Sequence, residues 1–166
     1  VGGDATDYAQ CGELFQALGG AVMHVGNTGD GAKMKLVTNL VLGLNRAALA
    51  EGLALAEAMG LDLRRTLEVM QASAAYSRIM DSKGEKMITR EFSPVARLSQ
   101  HLKDVRLIQH AGESGGLRLP LTEAHRALLE EAEASGLGAQ DNSAIIEVIR
   151  SNPVGSPIQQ GWRKQS

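Results

Sequence analysis

Apolar positions recur every three or four residues along most of this chain, and every two along very little of it. The longest such run follows Gly31. Val37, Leu40, Val41, Leu44 and Ala48 share one stripe and Gly60 supplies a stop, which predicts a single helix of about 29 residues, roughly 43 Å long. Its many small residues, among them Gly43, Ala47, Ala50, Gly52, Ala54 and Ala58, let neighbouring backbones approach on more than one side, as in the central helix of a bundle. Further helices are predicted at about Leu63 to Ala72, Ala75 to Thr89, Arg97 to Ser114, Thr122 to Ser135 and Asn142 to Arg150, punctuated by Gly60, Pro94, Gly115, Gly116, Pro120 and Gly136.

The first 26 residues have another texture. "VGGD" has the look of a strand end, "ATDYAQCGELFQALGG" carries Leu14, Phe15 and Leu18 at helical spacing, and "AVMHVG" is a short β-like run between glycines. Strand, helix, strand is the closing part of an α/β sheet, and two strands with one helix leave too much edge exposed to stand alone. The chain also lacks an initial Met, so it reads as part of a longer protein. The expected organisation is a mainly α fold: residues 1–26 as a sheet remnant, 27–150 as an all-α domain with a long central helix, and 151–166 as an irregular tail held by Trp162.

Composition narrows the chemistry. With 3% aromatic residues the core must be aliphatic, and a net charge of −2 offers no cationic face for nucleic acid. No apolar run approaches the ~18 residues that a membrane span requires. A single cysteine, Cys11, cannot form an internal disulfide, and together with six methionines it fits a reducing, cytoplasmic location. The four histidines have no metal-ligand spacing, so no metal is expected, and His24 reads as a packing or capping residue.

The stretch "GNTGDGAKMKLVTNLVLG" concentrates the candidate chemistry. Met34 stands where a dinucleotide fingerprint needs its third glycine, and no lysine directly follows the second glycine as a P-loop requires. Gly29 and Gly31 alone would simply ease the chain into a helix, with Lys33 and Lys35 solvated on its first turn. Lys35, however, shares a face with Asn39 at i and i+4, whereas Lys33 is followed on its face by Val37. A lysine near the positive end of a helix, if sheltered from water, can exchange a proton near neutral pH. Lys35 is therefore the expected general acid/base, sheltered beside Asn39.

Gly26, Gly29, Gly31, Lys35 and Asn39 match without gaps the G-x-x-G-x-G-x-x-x-K-x-x-x-N motif of the β-hydroxyacid dehydrogenases, which this stretch resembles. "FSPVARLSQHLKDVRL" is similar to a second family segment at Phe92, Pro94, Leu98, Leu102, Lys103 and Asp104, with Ala96 in place of a Phe and Val105 in place of a Leu; "DNSAIIEVI" is similar to a third. The resemblance implies the C-terminal portion of an NAD- or NADP-dependent 3-hydroxyacid dehydrogenase or semialdehyde reductase. It implies Lys35 as the acid/base, Asn39 as the substrate-positioning residue, and Lys103 with Gly31 near the cofactor. It further implies a small hydroxyacid or semialdehyde substrate, an N-terminal Rossmann domain outside this sequence, and homo-oligomers. Without the phosphate-binding fingerprint, these residues alone are expected to bind NAD(P) weakly and to be inactive. Imine reductases share the architecture but usually place Asp or Tyr at the lysine position. A dehydrogenase-like module used for oligomerisation or scaffolding, as in a chromatin-associated relative whose motif lysine is Met, is the alternative.

Overall fold

A computed structural model describes residues 1–151. The reading of residues 152–166 as an irregular tail tied down by Trp162 falls outside the described residues. Those described are mainly helical: α1 (Ala5–Gln10), α2 (Gly12–Leu18), α3 (Asp30–Ala58), α4 (Leu63–Gln71), α5 (Ile79–Thr89), α6 (Leu98–Ser114), α7 (Pro120–Ala132) and α8 (Ile145–Ser151). A π-turn at Glu133–Leu137 and a 3-10 turn at Asn142–Ala144 link α7 to α8. Among the described residues no helix is long and apolar enough to cross a membrane. The chain divides into two compact units, Val1–Val41 and the part from Leu42 onward.

The expected strand-helix-strand at residues 1–26 is not what forms in the first unit. Its helical stretch is two short helices broken at Cys11, whose φ of −87° and ψ of 9° interrupt the spiral. Asp4 caps α1 by accepting from the amides of Thr6 and Asp7. The flanking runs do lie side by side: Val1 donates to Met23 O at 2.8 Å, Val25 donates to Val1 O at 2.9 Å, and Gly3 donates to Gly26 O at 2.9 Å. These contacts pair the runs in a parallel sense over only two or three residues. Among the described residues no regular strand results, because so short a pair has no further neighbour to complete a ladder.

The stripe expected along α3 is not the one that packs: Val37, Val41 and Ala48 are exposed and Leu40 and Leu44 only half-buried, while the buried face is Gly43, Arg46, Leu49, Ala50, Leu53 and Ala56. Leu49, Leu53, Met87, Leu98, Leu102, Val105, Leu129, Ile145 and Ile146 form the core, with Phe92 at its edge. Burial of aliphatic side chains from several helices supplies the stabilisation that few aromatics could. Glycine sets one helix spacing: a Cβ on Gly84 of α5 would lie 2.6 Å from a Leu67 methyl, so only a bare Cα lets α4 and α5 pack this closely. The long helix ends where expected. Gly60, at φ 73°, donates to Glu57 O while Leu61 donates to Ala56 O, the paired bonds that close a helix on a left-handed glycine.

Candidate active site

The glycine-rich entry to α3 is a braced turn. Gly26 and Gly29 have φ of 125° and 95°, which side-chain-bearing residues rarely adopt. Asp30 closes the turn: its Oδ2 accepts from the Asn27 amide at 2.9 Å, and its own amide donates to Asn27 O at 3.0 Å. Its negative charge also suits the positive end of α3. Gly31 answers to packing within the first unit, since a Cβ there would stand 3.0 Å from Gly2 N.

The two lysines differ as their spacing suggests. Lys33 Nζ donates to Asp30 Oδ1 at 2.8 Å, and that bond holds the Lys33 ammonium above its usual range and, with the Asn27 amide, the Asp30 carboxyl below its own. Lys33 is thus committed to bracing the turn. Lys35 has no ion-pair or side-chain hydrogen-bond partner among the described residues. Asn39 is half-buried one turn further on, on the same face. The expected shelter around Lys35 is not supplied by these residues. Lys35 is exposed, because no residue from 1 to 41 is fully buried and so short a stretch cannot enclose an amine. Its helical backbone and its register with Asn39 are as the sequence predicts.

Lys103 lies in the second unit, exposed on α6, whose buried stripe is Leu98, His101, Leu102, Val105 and Ile108. Asp104, beside it, is half-buried. His24 is a packing residue: its Nε2 is 2.8 Å from Gly3 O, and its ring stacks on Tyr8 at 4.9 Å. Among the described residues no group of three or more His, Cys, Asp or Glu could hold a metal.

Two polar features of the second unit escape the sequence. Asp141, with 0% exposure, takes Lys83 Nζ on both carboxylate oxygens at 2.8 Å. It also accepts from Ser143 Oγ at 2.7 Å and from the amides of Val95 and Ala96. Burial alone would push this carboxyl up, but Lys83, Ser143 and the Val95 amide outweigh it and hold the group well below the ordinary carboxylate range. Asp141 thereby ties α5 to the segment leading into α6. The second feature is a basic cluster of Arg46, His101 and His125, all buried. Desolvation first, then the Arg46 charge, then His125, push His101 down to about 3; desolvation and Arg46 push His125 down to about 4. The legible signal for both histidines is their place on buried stripes, Leu98-His101-Leu102 and Thr122-His125-Leu129, where a polar side chain needs an explanation.

Residues 29–149 match the family described as NAD-binding of NADP-dependent 3-hydroxyisobutyrate dehydrogenase. The chain is 32% identical over 149 residues to 2-hydroxy-3-oxopropionate reductase of Escherichia coli (strain K12), covering 90% of this chain and 51% of that protein. It is 32% identical over 143 residues to the cytokine-like nuclear factor N-PAC of Aedes aegypti, covering 86% of this chain and 26% of that protein. The fold matches a crystal structure of 3-hydroxyisobutyrate dehydrogenase from Salmonella typhimurium with a TM-score of 0.83 at 24% identity, over 89% of this chain and 52% of that one. The chain therefore spans about half the length of the reductase it matches.

Proposed function

The chain belongs to the family of the NAD-binding domain of NADP-dependent 3-hydroxyisobutyrate dehydrogenase, and on that premise we propose that it is the C-terminal catalytic and oligomerisation domain of an NAD(P)-dependent 3-hydroxyacid dehydrogenase or semialdehyde reductase. The observation that carries this reading is the division of labour between the lysines. Lys33 is engaged by Asp30, while Lys35, the residue matching the motif, stands uncommitted at the start of α3 and in register with Asn39.

A dinucleotide cofactor is supported by the family match over residues 29–149. Lys35 on α3 and Lys103 on α6 are each exposed cations, and Gly31, packed against Gly2, has its cofactor role from the motif alone. A nicotinamide, when bound, gives hydride to the carbonyl carbon of a semialdehyde or takes it from the carbon of a hydroxyacid. Lys35 donates its proton to the aldehyde oxygen in reduction and accepts the hydroxyl proton in oxidation. Asn39 orients the substrate by neutral hydrogen bonds, and Lys103 contributes to the cofactor side. Exclusion of water around Lys35 is assigned to a Rossmann domain outside these residues, of which 1–26 would be the last part and 27–150 the partner domain. A homo-oligomer through the helical domain is supported by the exposed Val37, Val41 and Leu42 of α3. A cytoplasmic location fits the composition.

Lys35→Ala in the complete protein is expected to lower kcat by well over tenfold and to remove a basic limb from the pH profile, with cofactor affinity little changed; a loss below about tenfold counts against the assignment. The 166 residues alone are expected to bind NADPH weakly, and micromolar binding by calorimetry would contradict that. A second reading, a non-catalytic association module, is favoured by the likeness to N-PAC. Retention of the lysine argues for the enzyme, and the kcat measurement decides between them.

A further inference from the structure

Three basic side chains from three helices meet in the second unit, and among the described residues no carboxylate hydrogen-bonds to any of them. Arg46 of α3, His101 of α6 and His125 of α7 are 3%, 7% and 3% exposed. Arg46 Nε and Nη1, His101 Nε2 and His125 Nε2 are buried and have no hydrogen-bond partner among the described residues. They gather about one place. A Cβ built on Gly43 would come 2.8 Å from His101 Nε2 and 2.9 Å from His125 Cε1, and Arg46 follows Gly43 by three residues on the same helical face. The two imidazole centroids are 5.2 Å apart.

Charge does not balance there. Asp141 is the carboxylate that acts favourably on Arg46, yet its oxygens are already taken by Lys83, Ser143 and two backbone amides. Desolvation pushes Arg46 down to about 10, which leaves it protonated at neutral pH, while both histidines are neutral. A buried cation without an opposing charge is strongly unfavourable, and buried polar atoms without protein partners are ordinarily satisfied by an ordered water or an ion. Water would fill the hydrogen bonds and leave the charge. A monovalent anion does both, since the guanidinium donates and each neutral imidazole can carry its proton on Nε2.

We propose that Arg46, His101 and His125 form a buried site for one small monovalent anion of the halide class, set against Gly43 of α3. Both rings are packed onto Gly43, which confines the proposal to the smallest anions. The site is separate from the lysine chemistry and does not depend on it.

Bromide is the probe. The thermal midpoint of the wild-type protein is measured from low to high sodium bromide, with sodium isethionate holding ionic strength constant. Above its dissociation constant bromide should raise the midpoint by about 3–5 °C per tenfold increase. Arg46→Met should be insensitive to bromide and should melt above wild type at the lowest concentration, because it removes the unmatched charge. Bromide responses that are parallel in wild type and variant overturn the proposal. A second readout needs no variant: anomalous diffraction from bromide-soaked wild-type crystals should place a peak beside Arg46 Nε and Nη1, and peaks confined to other places overturn it as well.

Discussion

Lowering the pH from 7 to 5 in halide-free buffer should destabilise this protein through two histidines. Both are buried and neutral, with folded-state values of about 3 for His101 and about 4 for His125 against an ordinary value of 6.5. A group depressed in this way stabilises the fold fully above 6.5 and loses that contribution as pH falls toward the folded value, because the unfolded chain takes up the proton first. One proton per histidine over 1.5 pH units costs about 2 kcal/mol, so the pair costs about 3–4 kcal/mol by pH 5. For a domain of this size that is a fall of about 10 °C in Tm. Asp141 is depressed too, but its contribution is lost only below the ordinary carboxylate value of 3.8, so it leaves this window clear. Calorimetry at pH 7 and 5, on wild type and on His101→Met/His125→Leu, isolates the effect. The double variant should lose most of the pH dependence. If the Tm difference between the two proteins is the same at both pH values, or if the imidazole resonances titrate near 6.5, the reasoning fails. Added bromide should shrink the loss at pH 5, since an anion beside the rings favours their protonated forms.

Four further outcomes follow from packing and pairing. Asp141→Asn should destabilise by about 3–5 kcal/mol in urea unfolding, because Lys83 is then buried without a counter-charge; adding Lys83→Met should recover part of that loss. Gly43→Ala should cost about 1–3 kcal/mol, its Cβ arriving 2.8 Å from His101 Nε2, and His101→Ala in the same chain should relieve it. Gly84→Ala should cost a similar ~1–3 kcal/mol by colliding with both methyls of Leu67, with Leu67→Ala compensating, read from paired denaturation curves. Lys33→Ala in the complete protein should leave kcat within about threefold of wild type, since its charge is spent on Asp30.

Much of the helical unit was legible because its signals are local. The period of α3 and its glycine stop fix a 29-residue helix, and the observed Asp30–Ala58 has that length. The start of α5 was not legible: helical spacing points to Ala75, but Ser73 holds a turn by accepting from Ala75 N on its Oγ and from Tyr76 N on its carbonyl, which delays the helix to Ile79. The strands expected around α1 and α2 depend on neighbours that sequence pattern alone cannot supply. The lysine-asparagine pair was legible because four residues on one helix turn suffice to define it. The Arg46 cluster was not, since His101 and His125 reach Arg46 from positions 55 and 79 residues away and only packing brings them together.

The exposure of Lys35 separates two questions that the sequence had joined. Family membership rests on the match over 29–149 and would hold whatever the surroundings of the amine. Proton transfer rests on desolvation, and desolvation is a property of surfaces that these residues do not provide. The two can be pulled apart by experiment. In the complete protein Lys35→Arg should keep cofactor affinity and lose most of kcat, whereas Lys33→Arg should keep both. Were the two variants to keep equal kcat, Lys35 would be no better an acid/base than Lys33, and the association-module reading would become the stronger of the two.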